Sequence, residues 1–225
     1  YADGGAIFSY NGAVTISQST LTLNDADQGE GGGLFSFSSP ITIQNSIVAG
    51  NSDDGTAPDI RKSPTDALTV SHSLIGNNTG ISAVLPATVG STPDGSGNFV
   101  GSGVTPINPL LGPLQLNGGP TQTHAPLPGS LAINHGDNVS IPLDALDLDG
   151  DLNTAEQVPF DQRGEPGGVE PRRHVDLDLV ALAVEVPGQA QLARHIDDRE
   201  VLAIDVGVQH PVVARPLEQV VEARI

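Results

Sequence analysis

The amino-acid sequence predicts an all-β chain, a parallel β-helix (solenoid) of 27-residue rungs followed by an irregular C-terminal region. The first observation is a repeat of constant spacing. Gly4-Gly5-Ala6-Ile7-Phe8-Ser9-Tyr10 recurs 27 positions on as Gly31-Gly32-Gly33-Leu34-Phe35-Ser36-Phe37. Val14-Thr15-Ile16 recurs as Ile41-Thr42-Ile43 and again as Leu68-Thr69-Val70. A fixed period of this size marks a solenoid, because one repeat cannot cover its own apolar face and must stack on the next. Second, apolar residues alternate with Thr, Ser and Gln, which is the two-residue period of strands. Third, the chain has no Trp, Met or Cys and only 3% aromatics. Small β-branched side chains must therefore fill a narrow interior, stacked like on like.

Residues 1–80 hold the rungs. Val14 and Ile16, Ile41 and Ile43, and Leu68 and Val70 are expected to point inward, with Thr15, Thr42 and Thr69 in an outward row. Ser19, Ser46 and Ser73 fall in one column, and Asn24, Asn51 and Asn78 in another. Asn tolerates left-handed turn conformations, and its amide can hydrogen-bond along such a stack. Phe8 over Phe35 and Tyr10 over Phe37 form short aromatic ladders. The 27-residue step puts Lys62 and Pro64 at the ends of those ladders. His72 takes the outward position of Gln18 and Asn45 and is expected to be a ladder residue. The glycines between 29 and 33 let the chain turn tightly between rungs, and since they open no helix they do not form a phosphate cradle. The chain begins in mid-repeat at Tyr1, so it reads as a piece of a longer precursor.

A second region, 81–165, starts with loop rich in Gly, Pro, Ser and Thr, expected to lie along or across the solenoid end. It continues through a stretch dense in turn residues and acids. Residues 155–225 contain no Ser, Thr or Asn, although these crowd everything upstream, and seven of the eight Arg lie from Arg163 onward. Residues 166–225 form an atypical tail.

Residues 116–137 read LNGGPTQTHAPLPGSLAINHGD. This stretch resembles the conserved motif of the bacterial choice-of-anchor Q domain, which follows right-handed β-helix repeats in large surface proteins. The matching positions are Gly118, Gly119, Pro120, Thr121, Thr123, His124, Pro128, Gly129, Ser130, Ala132, Ile133 and Gly136. Pro126, Leu131, Asn134 and His135 depart from it. Asn45-Ser46-Ile47-Val48-Ala49-Gly50-Asn51, Ala57-Pro58-Asp59-Ile60 and Ser73-Leu74-Ile75-Gly76-Asn77 resemble the family's last rungs, and Asp161-Gln162-Arg163-Gly164 its DQRG motif. The resemblance covers about residues 4–165. It implies a right-handed β-helix and a terminal region leading to a cell-surface attachment signal. The family closes with a short VDIGAFE-like strand, of which only Val175-Asp176-Leu177 is present. That loss, with the break in composition, suggests a shifted reading frame after about Pro166. The alternative is a fused segment with apolar strands at 175–186 and 201–208.

The sharpest chemical candidate is the acidic loop Asp147-Leu148-Asp149-Gly150-Asp151-Leu152-Asn153-Thr154-Ala155-Glu156. Oxygen ligands at every second position, with a Gly for the bend, suit Ca²⁺, which takes six to eight oxygens. The expected ligands are Asp147, Asp149, Asp151, Asn153 and Glu156. The other reading is a solvated acidic turn, since the loop lacks an EF-hand's Gly position and closing Glu. Asp53-Asp54, Asp59 and Arg61-Lys62 supply the residue types of a polysaccharide lyase or glycosidase within one rung. Asn-Ser-Asp-Asp-Gly reads more simply as a turn, and no catalytic residue is assigned. His124 and His135 lack the carboxylate spacing of a zinc site and read as structural.

Net charge is −18, from 27 acidic and 9 basic residues. This balance argues against nucleic acid and anionic membranes as partners, since both need clustered Lys or Arg, and no membrane insertion is expected. No apolar run is long enough to cross a bilayer. The expected role is that of a secreted or cell-surface structural or adhesin-like protein contacting polysaccharide or other surface proteins, not an enzyme. The alternative is a piece of a pectin lyase-like enzyme whose catalytic rungs lie upstream.

Overall fold

The computed structural model describes residues 4–163 and the backbone of two short strands further on. Each rung is a loop of short strands. The first holds β1 (Ile7–Tyr10), β2 (Val14–Ser17), β3 (Thr20–Leu21) and β4 (Asp25–Ala26). The second holds β5 (Leu34–Phe37), β6 (Ile41–Gln44), β7 (Ile47–Val48) and β8 (Ser52–Asp53). The third holds β9 (Ile60–Lys62), β10 (Leu68–Ser71) and β11 (Leu74–Ile75). Each strand pairs in parallel with its counterpart one rung away, giving the stacks β1-β5-β9, β2-β6-β10, β3-β7-β11 and β4-β8. Val14, Ile41 and Leu68 stand in one column, and Ile16, Ile43 and Val70 in the next. The chain is the all-β parallel solenoid that the repeat predicts.

Corners recur as regularly as strands. Gly4 and Gly31, Asn11 and Ser38, Leu23 and Gly50, and the triplet Gln18, Asn45 and His72 all have positive φ. A left-handed residue turns the chain sharply, at about 1–2 kcal/mol for a side chain with a Cβ. At Gly31 the cost would be higher, since an added Cβ would lie 2.5 Å from the Leu34 carbonyl oxygen. The inner core contains Ile16, Leu21, Leu34, Ile41, Ile43, Val48, Ile60, Val70 and Ile75.

Three features differ from the expectations. The ladder of Phe8 and Phe35 continues to Arg61, not Lys62, because β5 pairs with β9 at an offset of 26 residues. Lys62 therefore stands over Ser36, is buried, and its Nζ donates to the Ser63 carbonyl at 2.9 Å. One extra residue between β9 and β10 restores the register at Leu68. Gln18 and Asn45, expected to face outward, are buried; Asn45 is covered by the segment at Asp137, with which it exchanges two hydrogen bonds. Finally, strand stacking continues past residue 80. β12 (Phe99–Val100) adds to β11, while Ile81 and Leu85 join the inner core.

The stack β3-β7-β11-β12 is covered on both sides, as parallel sheets usually are. Leu21, Val48, Ile75 and Val100 face the inner core. Ile47, Leu74 and Phe99 face outward into a second cluster with Ala132, backed by Ile107, Leu111 and Leu131. Beyond it lie the antiparallel pair β13 (Gln115–Leu116) and β14 (Gln122–Thr123) and a 3₁₀ turn, Asn138–Ser140. β15 (Arg194–Ile196) and β16 (Glu200–Leu202) also pair antiparallel. The shifted frame and the strands expected at 175–186 and 201–208 lie outside the described residues, apart from Val201 and Leu202 within β16.

Candidate functional site

Residues 107–163 carry both the family-like motif and the acidic loop, and the structure gives the motif a mechanical role. Ala132 is fully buried against Ile47, Leu74 and Phe99. Enlarging a side chain in a close-packed contact of this kind is destabilising. Ser130 Oγ donates to the Pro109 carbonyl at 2.6 Å and accepts from the Ala132 N–H. Gly129 supplies the positive φ, 94°, that turns the chain after the exposed Pro128. His124 Nδ1 meets the Gly112 carbonyl at 2.7 Å. His135 Nδ1 meets the Ile133 carbonyl at 2.7 Å, and its ring packs edge-on against Phe99. Both His side chains are engaged with backbone.

Two parts of the resemblance meet in space. An added Cβ on Gly119 would collide with the Arg163 backbone, so only Gly fits there. Asp161 holds Arg163 by an ion pair of 2.6 Å. Gly118 turns with φ 101°. Pro120 and Thr121 are exposed, while Thr123 is buried and accepts from the Asn117 amide through both its carbonyl and its hydroxyl. Gly136 leads into Asp137, whose N–H and carbonyl engage the Asn45 amide at 2.8 Å each.

The serine column forms a continuous hydrogen-bonded line. Ser19 N–H donates to Ser46 Oγ and Ser46 N–H to Ser73 Oγ, both at 3.1 Å. Ser73 N–H then donates to Asn98 Oδ1, so Asn98 takes the fourth place. The asparagine column turns aside. Asn24 donates to Asn51 Oδ1 from its N–H and its Nδ2. Asn51 in turn donates to Asp59 Oδ1 from N–H and Nδ2, and Asn78 Nδ2 goes to the Leu85 carbonyl. Asp59 Oδ2 also accepts from Asn77 N–H at 2.6 Å. Burial pushes the Asp59 carboxyl up to about 6, against the pull of these donors.

The remaining lyase-type residues are also engaged. Asp53 Oδ2 accepts from Gly31 and Ala57 N–H, Asp54 accepts from Gln28 N–H, and Arg61 pairs with Glu30 at 3.0 Å.

In the acidic loop, successive side chains cap backbone N–H groups. Asp147 Oδ1 accepts from Leu152, Asp149 from Asp151, Asp151 from Asn153 and Asn153 from Ala155. Asp147 and Leu152 both have positive φ, which curls the loop around Gly150. Carboxylate oxygens converge in two groups that could hold a metal ion: Asp144, Asp149 and Glu156, and Asp147, Asp149 and Asp151. Within each group the oxygens lie within 4.8 Å of one another. Asn153 adds no carboxylate and instead donates from Nδ2 to Glu156 Oε2 at 3.1 Å. Asp144, outside the alternating spacing, is the residue that sequence reasoning missed. Desolvation, and then the negative charges of Asp151 and Asp149, push the Glu156 carboxyl up.

No protein-family model, curated protein or solved structure matches the chain. Among the described residues no helix is long and apolar enough to cross a membrane.

Proposed function

We propose that the chain is part of a secreted or cell-surface β-solenoid protein with a structural, adhesin-like role, and that residues 81–165 belong to an anchoring region of the choice-of-anchor Q kind. One observation carries the adhesive part. On the outer face of β1 and β5, Tyr10 and Phe37 stack with ring planes 6° apart and centroids 5.6 Å apart. Phe8 and Phe35 lie beside them, 5.5 Å apart. Phe8, Tyr10 and Phe37 remain 53%, 63% and 45% exposed. Stacking on the ring of the next rung restrains these side chains before any ligand arrives, which lowers the freedom lost on binding. The apolar C–H faces of pyranose rings suit such a surface, and Thr15, Thr42 and Thr69 line the adjacent stack. The net charge of −18 favours neutral glycans, or acidic ones bridged by cations. The reading includes calcium at the acidic loop, in a structural capacity, and assigns no catalytic residue.

Affinity electrophoresis through gels containing soluble polysaccharides tests the adhesive role. At least one neutral glycan should retard the chain, and Tyr10→Ala with Phe37→Ala should weaken binding by about tenfold. Retardation that the double variant leaves unchanged would remove the aromatic face from the proposal. Release of unsaturated ends or reducing sugars from pectin or alginate would support a polysaccharide lyase or glycosidase instead.

A further inference from the structure

At the base of the acidic loop, two carboxylate oxygens have no hydrogen-bond donor among the described residues. Asp144 is fully buried. Its Oδ2 accepts from Leu148 N–H at 2.6 Å, but its Oδ1 is sealed from solvent and has no hydrogen-bond partner. Glu156 Oε1 is likewise sealed and without a donor among the described residues, the Asp149 carboxyl lying beside that of Glu156. A buried carboxylate oxygen without a donor is strongly disfavoured unless a cation or an ordered water completes it. The two residues stand at opposite ends of the loop, yet the backbone holds them together: Asp144 N–H donates to the Glu156 carbonyl at 2.7 Å, and Val158 N–H to the Pro142 carbonyl at 2.9 Å. Asp149 reaches back so that one of its carboxylate oxygens lies within 4.8 Å of one from Asp144 and one from Glu156.

We infer that a single calcium ion is held at the base of the loop by Asp144, Asp149 and Glu156, with Asp144 as the buried anchor, and that Asp147, Asp151 and Asn153 shape the loop from outside without ligating it. The inference rests on the reading of the acidic loop as a calcium site and places the ion within it. Size agrees with calcium. Oxygens about 2.3–2.6 Å from a common Ca²⁺ lie at most about 5 Å apart. The three carboxylates fall inside that limit, within 4.8 Å of one another. Magnesium would draw its oxygens to about 2.1 Å and hold them in a strict octahedron, which three carboxylates on a loop suit less well. Three carboxylates at one point repel each other without a cation. With one, the ion ties the start of the loop to its end.

The test is calorimetric titration of CaCl₂ into the whole chain after removal of divalent ions, with thermal melts in EDTA and in excess calcium. The wild type should bind one ion and melt at a higher temperature with calcium present, as any ligand specific to the folded state requires. Asp144→Asn and Glu156→Gln should each weaken binding by about tenfold or more, while Asp151→Asn should weaken it by less than about threefold. If Asp144→Asn fails to fold by circular dichroism, Glu156→Gln, partly exposed and isosteric, carries the test alone. Its melt should match the wild type in EDTA and show no rise with calcium. If Asp151→Asn loses as much affinity as these variants, or if Glu156→Gln binds normally, the placement is overturned while the calcium reading stands. If the wild type gives neither heat nor a shift in melting, both fail.

Discussion

Asp59 shows how one residue can join successive rungs. Its carboxylate collects N–H donors from Asn51 and Asn77, and its burial raises its pKa from 3.8 to about 6. A carboxyl whose pKa is higher folded than unfolded binds its proton more tightly in the native state. Its contribution to stability is therefore complete below about pH 4 and is lost as pH rises through about 6. A shift of about two units corresponds to about 3 kcal/mol. Denaturant unfolding at several pH values between about 4 and 7 should show the wild type losing this amount relative to Asp59→Asn, whose side chain does not titrate. Parallel profiles for the two proteins would mean that Asp59 is already ionised near pH 4. The sequence shows the Asn24–Asn51 step, which keeps the repeat spacing, but not the role of Asp59. Asp59 is eight residues from Asn51 in the chain, and only the closing of the rung brings them together. Asp144 was hidden for a similar reason: its burial comes from packing, and it lies outside the alternating acidic pattern.

At the scale of elements, the stacked strands are held by side-chain lines as well as backbone ladders. The serine line is the clearest. Each hydroxyl donates two residues back along its own rung, Ser46 Oγ to the Gln44 carbonyl at 2.6 Å for example, and those of Ser46 and Ser73 accept the N–H of the serine one rung before. Ser46→Ala removes both bonds in a fully buried place and leaves the Ser19 N–H without a partner. An unsatisfied buried donor costs about 1–3 kcal/mol, so the variant should lose about that much in urea unfolding, with the fold unchanged by circular dichroism. An unchanged midpoint would show that water replaces the hydroxyl. This column was legible because Ser19, Ser46 and Ser73 keep the spacing of 27. Its fourth member, Asn98, was not, because it follows Ser73 by 25 residues and is a different residue type. The slip at Lys62 has the same origin. Composition and periodicity fix the strands that obey the repeat, and a single residue added or lost in a corner moves the next strand without leaving a trace in its own pattern.

Among the described residues the molecule has two large apolar layers, besides a small contact of Ile141 with Val158, and the two should fail separately. The inner layer closes on itself through Ile16, Ile43 and Val70, whereas the outer layer exists only while Ala132 and its neighbours lie over Ile47, Leu74 and Phe99. Asn45 and Asp137 fasten the far end of that cover to the second rung. A charge placed in either layer has no partner and is costly, but the consequences differ. Ile43→Asp strikes the column on which all three rungs stack and should unfold the solenoid, abolishing its β signal in circular dichroism. Ala132→Asp should instead lift the cover while the rungs persist, since the inner layer and the parallel backbone ladders do not depend on it. The β signal should remain, a dye specific for exposed apolar surface should bind, and proteases should cut between residues 107 and 163 well before they cut the rungs. Amide exchange provides the finest check. Phe99 and Leu74 should exchange faster than in the wild type, because the outer face above them opens, while Ile16 and Ile43 should stay protected. If Ala132→Asp unfolds the rungs as completely as Ile43→Asp, the cover is part of the core and not a clamp upon it. The motif around Ala132 would then be a folding determinant of the solenoid itself.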